Sequence, residues 1–206
     1  MYENIVKRFL DIVLSGLALI VLAIPMLIIA LLIKLDDPGP AMFTQRRIGR
    51  GLVLFDLHKY RSMRTSTPHD MPTHLLENPE QYITRTGKWL RKSSADELPQ
   101  LLDILRGHMS FVGPRPALWN QDDLAAERDK YGVNSIRPGL TGWAQINGRD
   151  ELEITDKARL DGEYAAILKQ GGMKAFLFDC RCFLGTFSKV LRSEGVVEGG
   201  TGVMKK

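Results

Sequence analysis

Two adjacent carboxylates, Asp96 and Glu97, are the residues of this sequence best suited to chemistry. They lie in the polar segment Ser93–Leu102, just before a leucine-rich stretch that predicts a helix. If the helix begins at or after Asp96, both carboxylates lie at its exposed start, where unpaired backbone amides also attract anions. A carboxylate in that place can act as a nucleophile or bind a hard cation such as Mg²⁺.

The same segment has a purely structural interpretation. Ser94 and Glu97 have the spacing of a capping box, which satisfies backbone amides at a helix start. In that case Pro99 would be the fifth helical residue, and its ring would clash with the carbonyl of residue 95. We therefore expect the helix to begin at or after Asp96, with four leucines on its buried face. They are Leu98, Leu101, Leu102 and Leu105.

A constrained arginine follows these carboxylates along the chain. Arg115 lies between Pro114 and Pro116, which restrict the backbone around it. Arginine is the side chain best shaped for bidentate contacts with phosphate, so Arg115 is a candidate phosphate ligand. A structural turn with a solvated arginine is the alternative.

A third segment, Arg137–Arg149, combines tight turns, amides such as Gln145, and the arginine Arg149. This composition suits a polar, hydrogen-bonding ligand such as a nucleotide or a sugar. Several other cations could add to an anion site, or could simply bind anionic lipids. They are Lys59, Arg61, Arg85, Arg91 and Lys92.

A long apolar run near the N-terminus determines where the rest of the chain lies relative to a membrane. Ile12–Ile33 contains no charged residue, and as a straight helix it would be about 33 Å long, roughly the thickness of a bilayer core. A signal peptide would have a shorter apolar region and a small-residue cleavage site, which the segment Ile33–Asp37 lacks. A chain of this size could hardly bury such a helix in its core. The run therefore predicts membrane insertion.

Pro25 lies within this run, where it removes an amide donor and crowds the carbonyl of Val21, so a kink is expected. Basic residues flank both ends of the run, which favours both ends on the cytoplasmic face. They are Lys7, Arg8, Lys34, Arg46, Arg47 and Arg50. A re-entrant helix that dips into the membrane and returns fits this symmetry, and a single kinked span is the alternative.

The remaining sequence predicts a short hairpin followed by helices. Ala41–Met63 indicates two strands around the turn Ile48–Gly51, and the proline-rich Ser66–Pro79 indicates a loop. Helices are predicted at Gly87–Lys92, Pro99–Arg106, Gln121–Lys130 and Asp156–Lys169.

The tail, Lys174–Arg192, has a helical stripe of apolar residues flanked by basic ones. The stripe consists of Leu177, Cys180, Leu184, Phe187 and Leu191. The pattern fits a helix on a membrane surface, and equally one whose stripe faces the protein core.

The composition narrows the class of protein. Of 206 residues, 25% are charged and 44% are hydrophobic, which argues against wholesale disorder and a polytopic transporter. Cys180 and Cys182 form no disulfide framework, so we expect a reducing compartment. A pI of about 9.1 indicates anionic partners such as phosphates or acidic lipids. The sequence has no P-loop, dinucleotide fingerprint or Gly-x-Ser-x-Gly motif, and its four histidines lack the spacing of a zinc site.

Four sequence blocks, in this order, resemble the bacterial sugar transferase family, the monotopic phosphoglycosyl transferases. The blocks are Lys59–Met63, Ser94–Leu101, Met109–Pro116 and Pro138–Arg149. With the N-terminal apolar segment they cover nearly the whole chain. With no further N-terminal membrane domain, the chain is similar to the minimal, PglC-like members.

The resemblance implies transfer of a phosphosugar from a UDP-sugar to a polyprenyl phosphate, usually undecaprenyl phosphate, with release of UMP. This would be the first membrane step of glycoconjugate assembly, with downstream glycosyltransferases rather than nucleic acid as further partners. Similarity to the minimal members favours an N-acetylated UDP-sugar of the diacetylbacillosamine type.

The implied fold is α+β and mainly helical, with a kinked re-entrant membrane helix in residues 1–36. Residues 37–206 would form a cytoplasmic catalytic domain with a short β-hairpin and amphipathic helices at the membrane surface. The implied location is the cytoplasmic face of the bacterial inner membrane.

Carried over position by position, the resemblance makes Asp96 the nucleophile that forms a covalent phosphosugar intermediate. Glu97 would complete the dyad and help hold Mg²⁺, and Arg115 would clamp phosphate. Further candidates for substrate binding are Lys59, Arg91, Gln145, Arg149 and Asp161.

One position departs from the family pattern, because His108 stands where the family commonly has Asp. The departure puts an acidic role at this position in doubt and makes His108 more plausible as a structural residue. A competing hypothesis is a non-catalytic membrane anchor that gathers anionic lipids or recruits a partner enzyme. That hypothesis accounts for the apolar run and the arginines, but it needs no adjacent Asp-Glu pair.

Overall fold

The structure, a computed structural model, describes residues 1–67, 78–148 and 152–191. A π-helical turn, Tyr2–Lys7, leads into the first α-helix. The helices are α1 (Arg8–Val21), α2 (Ala23–Asp36), α3 (Arg85–Ser93), α4 (Gln100–Arg106), α5 (Asp122–Asp129), α6 (Trp143–Ile146), α7 (Ile154–Gln170) and α8 (Gly172–Leu191). The strands are β1 (Met42–Ile48), β2 (Leu54–Tyr60), β3 (Ser110–Val112) and β4 (Gly139–Thr141).

The apolar run forms a bent pair of helices. The helix from Tyr2 to Val21 and α2 meet at Leu22 with a bend of 63°. Pro25 is the third residue of α2, so its missing amide and its ring fall where the bend begins. The expected kink is confirmed. Within the described residues no single helix is long and apolar enough to cross a membrane, but the bent pair satisfies both criteria when its two arms are taken together.

The helix pair is polar on part of its inner face and apolar on its outer face. Lys7, Asp11 and Ser15 form a buried stripe at four-residue spacing, and Ile29 and Ile33 are buried on α2. The outward residues are mostly large and apolar, the reverse of a helix that faces water. They include Ile5, Phe9, Ile12, Leu17, Ile20, Val21, Ile24, Leu27, Leu31 and Leu35.

Hydrogen bonds fix the start of this helix pair to the globular part. Asp11 Oδ1 accepts hydrogen bonds from the Ser110 hydroxyl (3.1 Å) and the Phe111 amide (3.0 Å) on β3. Lys7 Nζ lies 2.7 Å from Asp179 Oδ2 on α8. The pair is therefore an integral part of the fold and not an appended segment.

The predicted hairpin and the later helices are confirmed, with ends shifted by a few residues. β1 and β2 are antiparallel, with Met42 opposite Tyr60 and Ile48 opposite Leu54. Of the predicted loop Ser66–Pro79, residues 68–77 lie outside the described residues.

A second sheet, not predicted from the sequence, forms from β3 and β4. β3 and β4 pair in parallel, with Ser110 opposite Gly139 and Val112 opposite Thr141. Strands of three residues are too short to show a periodic pattern, and both lie in segments interpreted as loops. This small sheet positions the loop that carries Arg115.

One leucine of the expected buried face of α4 is exposed. Leu105 is 36% accessible, whereas Leu101 and Ile104 are buried. The polar residues Gln100 and Asp103 complete the buried face. The expectation for Leu105 was wrong because tertiary contacts place Asp103, not a fourth leucine, on this face.

Helix α8 has two distinct faces. Ala175, Asp179 and Cys182 face the core, and Leu177 and Leu184 are 58% and 67% exposed. The predicted apolar stripe therefore does not form the core face, as far as its described side chains show. Those of Phe187 and Leu191, and all of Arg192, lie outside the described part of the chain.

Candidate active site

Asp96 and Glu97 lie in a 3₁₀ turn, Ala95–Glu97, between α3 and α4. Ser94 ends α3 in the left-handed conformation (φ 55°), and its side chain makes no capping hydrogen bond to the turn. The capping-box alternative is therefore wrong. Pro99 directly precedes α4. The turn that presents the two carboxylates thus lies between the left-handed residue Ser94 and Pro99.

Cations from three other elements surround this turn. Lys59 comes from β2, Arg91 from α3, and Arg115 from the loop after β3. The positive charges of all three act on the Asp96 carboxyl and favour its ionised form. The structure therefore brings five of the predicted residues together, although they are far apart in sequence.

Burial and repulsion oppose these cations at Asp96. Burial, followed by the negative charge of Glu97, raises the pKa of the Asp96 carboxyl from 3.8 to about 6. Across the described ranges, 1–67, 78–148 and 152–191, no hydrogen bond engages the Asp96 side chain. An Asp96 carboxyl with a pKa of about 6 is ionised at neutral pH and is more basic than an ordinary aspartate. Because no hydrogen bond from the described residues holds it, its oxygens are free to attack, as a nucleophile requires.

Glu97 is held differently from its neighbour. Arg115 Nη2 donates a hydrogen bond to Glu97 Oε1 over 2.7 Å. The Glu97 side chain is only 14% exposed, so this pair is stronger than an ion pair in open solvent. It joins the loop after β3 to the turn before α4.

Lys59 is the most strongly perturbed cation of the cluster. Burial, together with the nearby charges of Arg47, Arg91 and Arg115, lowers the pKa of its ammonium group from 10.5 to about 8. Its Nζ also lies 5.1 Å from the centre of the Phe43 ring. Such a crowded set of cations is costly unless it meets negative charge, which is the property expected of a diphosphate site.

Arg47 belongs to this site, although its place in the sequence predicted only a charge flanking the membrane segment. Its guanidinium donates to the Pro116 carbonyl (3.1 Å) and to the Gln45 side-chain oxygen (2.7 Å). Arg47 thereby ties β1 to the loop that carries Arg115. No local pattern could have shown this contact, because the two residues it joins are distant in sequence.

Two of the candidate ligands support the structure around the site. Asp161 accepts hydrogen bonds from the Arg128 Nε and Nη2 atoms (2.9 and 2.6 Å), and both side chains are buried between α5 and α7. Gln145 Nε2 lies 3.4 Å from the Gly113 carbonyl, two residues before Arg115. Arg149 lies outside the described residues.

The second arm of the helix pair reaches the carboxylate turn. Ile29 and Ile33 pack in one cluster with Tyr60 and Leu90, and Ala95 packs against that cluster. The Tyr60 hydroxyl also donates to the Met26 carbonyl over 2.8 Å. The apolar surface of α2 and the polar site are therefore contiguous.

The donor atoms of the site fit a magnesium ion that is shared with substrate. The described residues contain no group of three or more His, Cys, Asp or Glu side chains that could hold a metal. Asp96 and Glu97 nevertheless offer adjacent carboxylates. Mg²⁺ usually binds proteins through one or two carboxylates plus substrate phosphates, and keeps several waters.

The chain is similar to known proteins over most of its length. The model of the bacterial sugar transferase family matches residues 2–193. The exopolysaccharide production protein PSS of Rhizobium leguminosarum bv. phaseoli is 38% identical over 202 residues, which cover 94% of this chain and 99% of that protein.

Two further relatives have names that state a reaction. The UDP-glucose:undecaprenyl-phosphate glucose-1-phosphate transferase of Escherichia coli (strain K12) is 38% identical over 75% of this chain. The UDP-N-acetylgalactosamine-undecaprenyl-phosphate N-acetylgalactosaminephosphotransferase of Aeromonas hydrophila is 40% identical over 68% of it. The chain spans 34% of the length of each.

Proposed function

Because the chain belongs to the bacterial sugar transferase family, we propose that it transfers a sugar 1-phosphate from a UDP-sugar to undecaprenyl phosphate and releases UMP. The observation that carries this proposal is the convergence of Lys59, Arg91 and Arg115 on the half-buried Asp96–Glu97 turn. A site that combines three cations able to bind phosphate oxygens with a carboxylate able to attack phosphorus suits a diphosphate substrate.

In the first step an Asp96 carboxylate oxygen attacks the β-phosphorus of the UDP-sugar. A new bond forms between this oxygen and phosphorus, and the bond from phosphorus to the bridging oxygen breaks. UMP leaves with that electron pair, and a covalent aspartyl phosphosugar remains. The raised pKa of Asp96, about 6, makes its carboxylate a better nucleophile than an ordinary aspartate while leaving it ionised at neutral pH.

In the second step a phosphate oxygen of undecaprenyl phosphate attacks the phosphorus of the intermediate. The bond to Asp96 breaks, the carboxylate is regenerated, and the product is undecaprenyl diphosphosugar. The two substrates can use one site in turn, because UMP leaves before the lipid phosphate attacks. Lys59, Arg91 and Arg115 stabilise the charge that builds up on the phosphoryl oxygens in both steps.

Magnesium fits this scheme as a cofactor held by Asp96 and Glu97 together with the diphosphate. When bound, the ion would neutralise negative charge on the diphosphate and make UMP a better leaving group. Glu97 has a second task, since its ion pair with Arg115 orients the guanidinium towards the turn.

We further propose that the bent helix pair, residues 1–36, is re-entrant and that residues 37–206 form a catalytic domain on the cytoplasmic face of the inner membrane. The exposed apolar face of α1 and α2 supports contact with lipid. Helix α8 would rest on the membrane surface through Leu177 and Leu184. Because α2 packs against the carboxylate turn, a polyprenyl phosphate lying along it would deliver its phosphate to Asp96.

The identity of the sugar is a separate proposal. The resemblance to minimal members favours an N-acetylated sugar such as diacetylbacillosamine, whereas the named relatives act on glucose and N-acetylgalactosamine. Within the described residues we identify no side chain that distinguishes these sugars.

The decisive experiment measures UMP release by the detergent-purified protein with Mg²⁺, undecaprenyl phosphate and a panel of UDP-sugars. The panel contains glucose, N-acetylgalactosamine and diacetylbacillosamine. We expect multiple turnovers with at least one sugar, and loss of turnover on chelation. Without the lipid, UMP release should stop near one equivalent per enzyme, the amount that a covalent intermediate allows.

Asp96→Asn should abolish turnover, and Asp156→Asn is the matched control because Asp156 lies exposed on α7. Unchanged turnover in Asp96→Asn would show that Asp96 is not the nucleophile. If folded wild-type protein releases no UMP with any UDP-sugar of a broad panel, the alternative of a non-catalytic membrane anchor is favoured.

A further inference from the structure

We propose that His58 and Asp103 form a positioning pair that sets the distance between Lys59 and Asp96. The inference rests on the proposed function, because it concerns the geometry of the same site. Neither residue is among the ligands considered above, and each lies next to a part of the site. His58 precedes Lys59 on β2, and Asp103 lies on α4, which begins three residues after Glu97.

Two hydrogen bonds join the pair. The backbone amide of His58 donates to Asp103 Oδ2 over 2.9 Å, and His58 Nδ1 lies 2.7 Å from Asp103 Oδ1. A carboxylate can only accept hydrogen bonds, so the proton between the two side chains belongs to Nδ1. Both oxygens of the fully buried Asp103 side chain are thus engaged by one residue of the opposing strand.

These bonds supply a restraint that apolar packing cannot give. Leu57 packs with Leu101 and Ile104 and holds β2 against α4. Apolar contacts are non-directional, so they resist separation of the two elements better than they resist sliding. The pair of hydrogen bonds to Asp103 fixes the position of His58, and hence of Lys59, along α4.

The position of Lys59 matters because its charge acts directly on the nucleophile. The groups whose charges act on Asp96 are Glu97, Lys59, Arg91 and Arg115, and among the cations Lys59 contributes most to lowering the pKa of Asp96. If Lys59 moved away, the phosphoryl charge that builds up in the transition state would lose a cationic donor. A misplaced Lys59 therefore lowers the rate of the chemical step more than it weakens binding of the UDP-sugar.

The test compares two substitutions at His58. His58→Ala removes the Nδ1 donor but leaves the backbone amide, and His58→Asn replaces the donor with an amide nitrogen at a similar place. We expect His58→Ala to lower kcat about 10- to 100-fold, the scale of a displacement near 1 Å, with little change in KM for the UDP-sugar. His58→Asn should recover most of the lost kcat. Asp103→Asn should resemble His58→Ala.

Matched controls separate positioning from loss of folding and from failure of the proposed function. His108→Ala replaces a histidine that is exposed after α4, and it should leave kcat and KM unchanged. The proposal is overturned if His58→Ala loses activity only in proportion to its folded fraction, so that kcat per folded enzyme is unchanged. If Asp103→Asn does not fold, the comparison of His58→Ala with His58→Asn still tests the proposal. An inactive wild-type enzyme would refute the proposed function itself, which is a different result from an active enzyme insensitive to His58→Ala.

Discussion

Arg115 and Glu97 form an ion pair of 2.7 Å between two separate segments of the site. The pair neutralises a guanidinium and a carboxylate that would each be costly if partly buried alone. A diphosphate entering the site would compete with Glu97 for the same guanidinium. The ion pair thus couples the phosphate-binding loop to the turn that carries the nucleophile.

Replacing Arg115 should alter the pH dependence as well as substrate affinity. Arg115 lowers the pKa of Asp96, so Arg115→Gln should raise that pKa and move the acidic limb of kcat/KM above about pH 6. We also expect a lower kcat/KM for the UDP-sugar, by at least about tenfold for the lost charge-assisted contact. Steady-state UMP release from pH 5 to 9 measures both effects. Arg159→Gln, on the exposed face of α7, is the control and should change neither.

Asp96→Asn should stabilise the folded protein while it abolishes turnover. The folded-state pKa is raised to about 6 from 3.8, so the folded state binds more protons than the unfolded state between these pH values. Stability therefore falls as the pH rises from about 4 to about 6, and the cost persists at neutral pH. If Asp96→Asn removes about 1 kcal/mol of this destabilisation, Tm should rise by about 2–4 °C. A thermal melt at pH 7.5 that shows a lower Tm in Asp96→Asn would contradict this account.

Lys59 should set the alkaline limb of the activity profile. Its pKa is lowered to about 8, so the ammonium charge is present below this pH and is lost above it. We expect kcat/KM to be bell-shaped, with limbs near about 6 and about 8, the values given for Asp96 and Lys59. Lys59→Arg keeps its charge at all relevant pH values and should move the alkaline limb upwards. An alkaline limb that stays in place in this variant would rule out Lys59 as its source.

Gly142 should tolerate no side chain, because a Cβ there would lie 2.1 Å from the Gly113 carbonyl oxygen. Its φ of 179° is open to any residue, so the effect arises from the clash and not from backbone strain. We expect Gly142→Ala to destabilise the fold by about 1–3 kcal/mol and to lower activity by displacing the Arg115 loop.

Gly16 provides the matched substitution, since an added Cβ would meet nothing within 4 Å on α1. Gly16→Ala should be neutral or stabilising, by roughly 0.5–1 kcal/mol from helix propensity. Denaturation of the two variants in detergent measures the difference. Equal stability of the two would show that β3 and β4 adjust freely around Gly142.

The topology of the helix pair can be tested with introduced cysteines. A re-entrant pair keeps Asn4 on the same side as the globular part, so Asn4→Cys in a background lacking Cys180 and Cys182 should resist impermeant maleimide in intact cells. Lys130→Cys, at an exposed position of the globular part, provides the reference for the side on which that part lies. Both should react after permeabilisation. Labelling of Asn4→Cys alone from outside would establish a single span instead.

The sequence alone was sufficient to predict the features that depend only on residues close together in the chain. The apolar run and Pro25 predicted a bent helix pair, because length, apolarity and a missing amide are all local properties. The hairpin and the later helices followed from residue periodicity in the same way. The Asp96–Glu97 dyad was equally visible, since its two members are adjacent.

The tertiary structure decided which distant side chains meet. Lys59, Asp96 and Arg115 come from three separate elements, and packing alone brings their charges together. Packing also paired Asp161 with Arg128, and it placed Arg47 at the Arg115 loop. Local sequence patterns report the face of a helix or strand, whereas the pKa values and ion pairs of a site depend on groups that only the folded chain brings within a few ångströms.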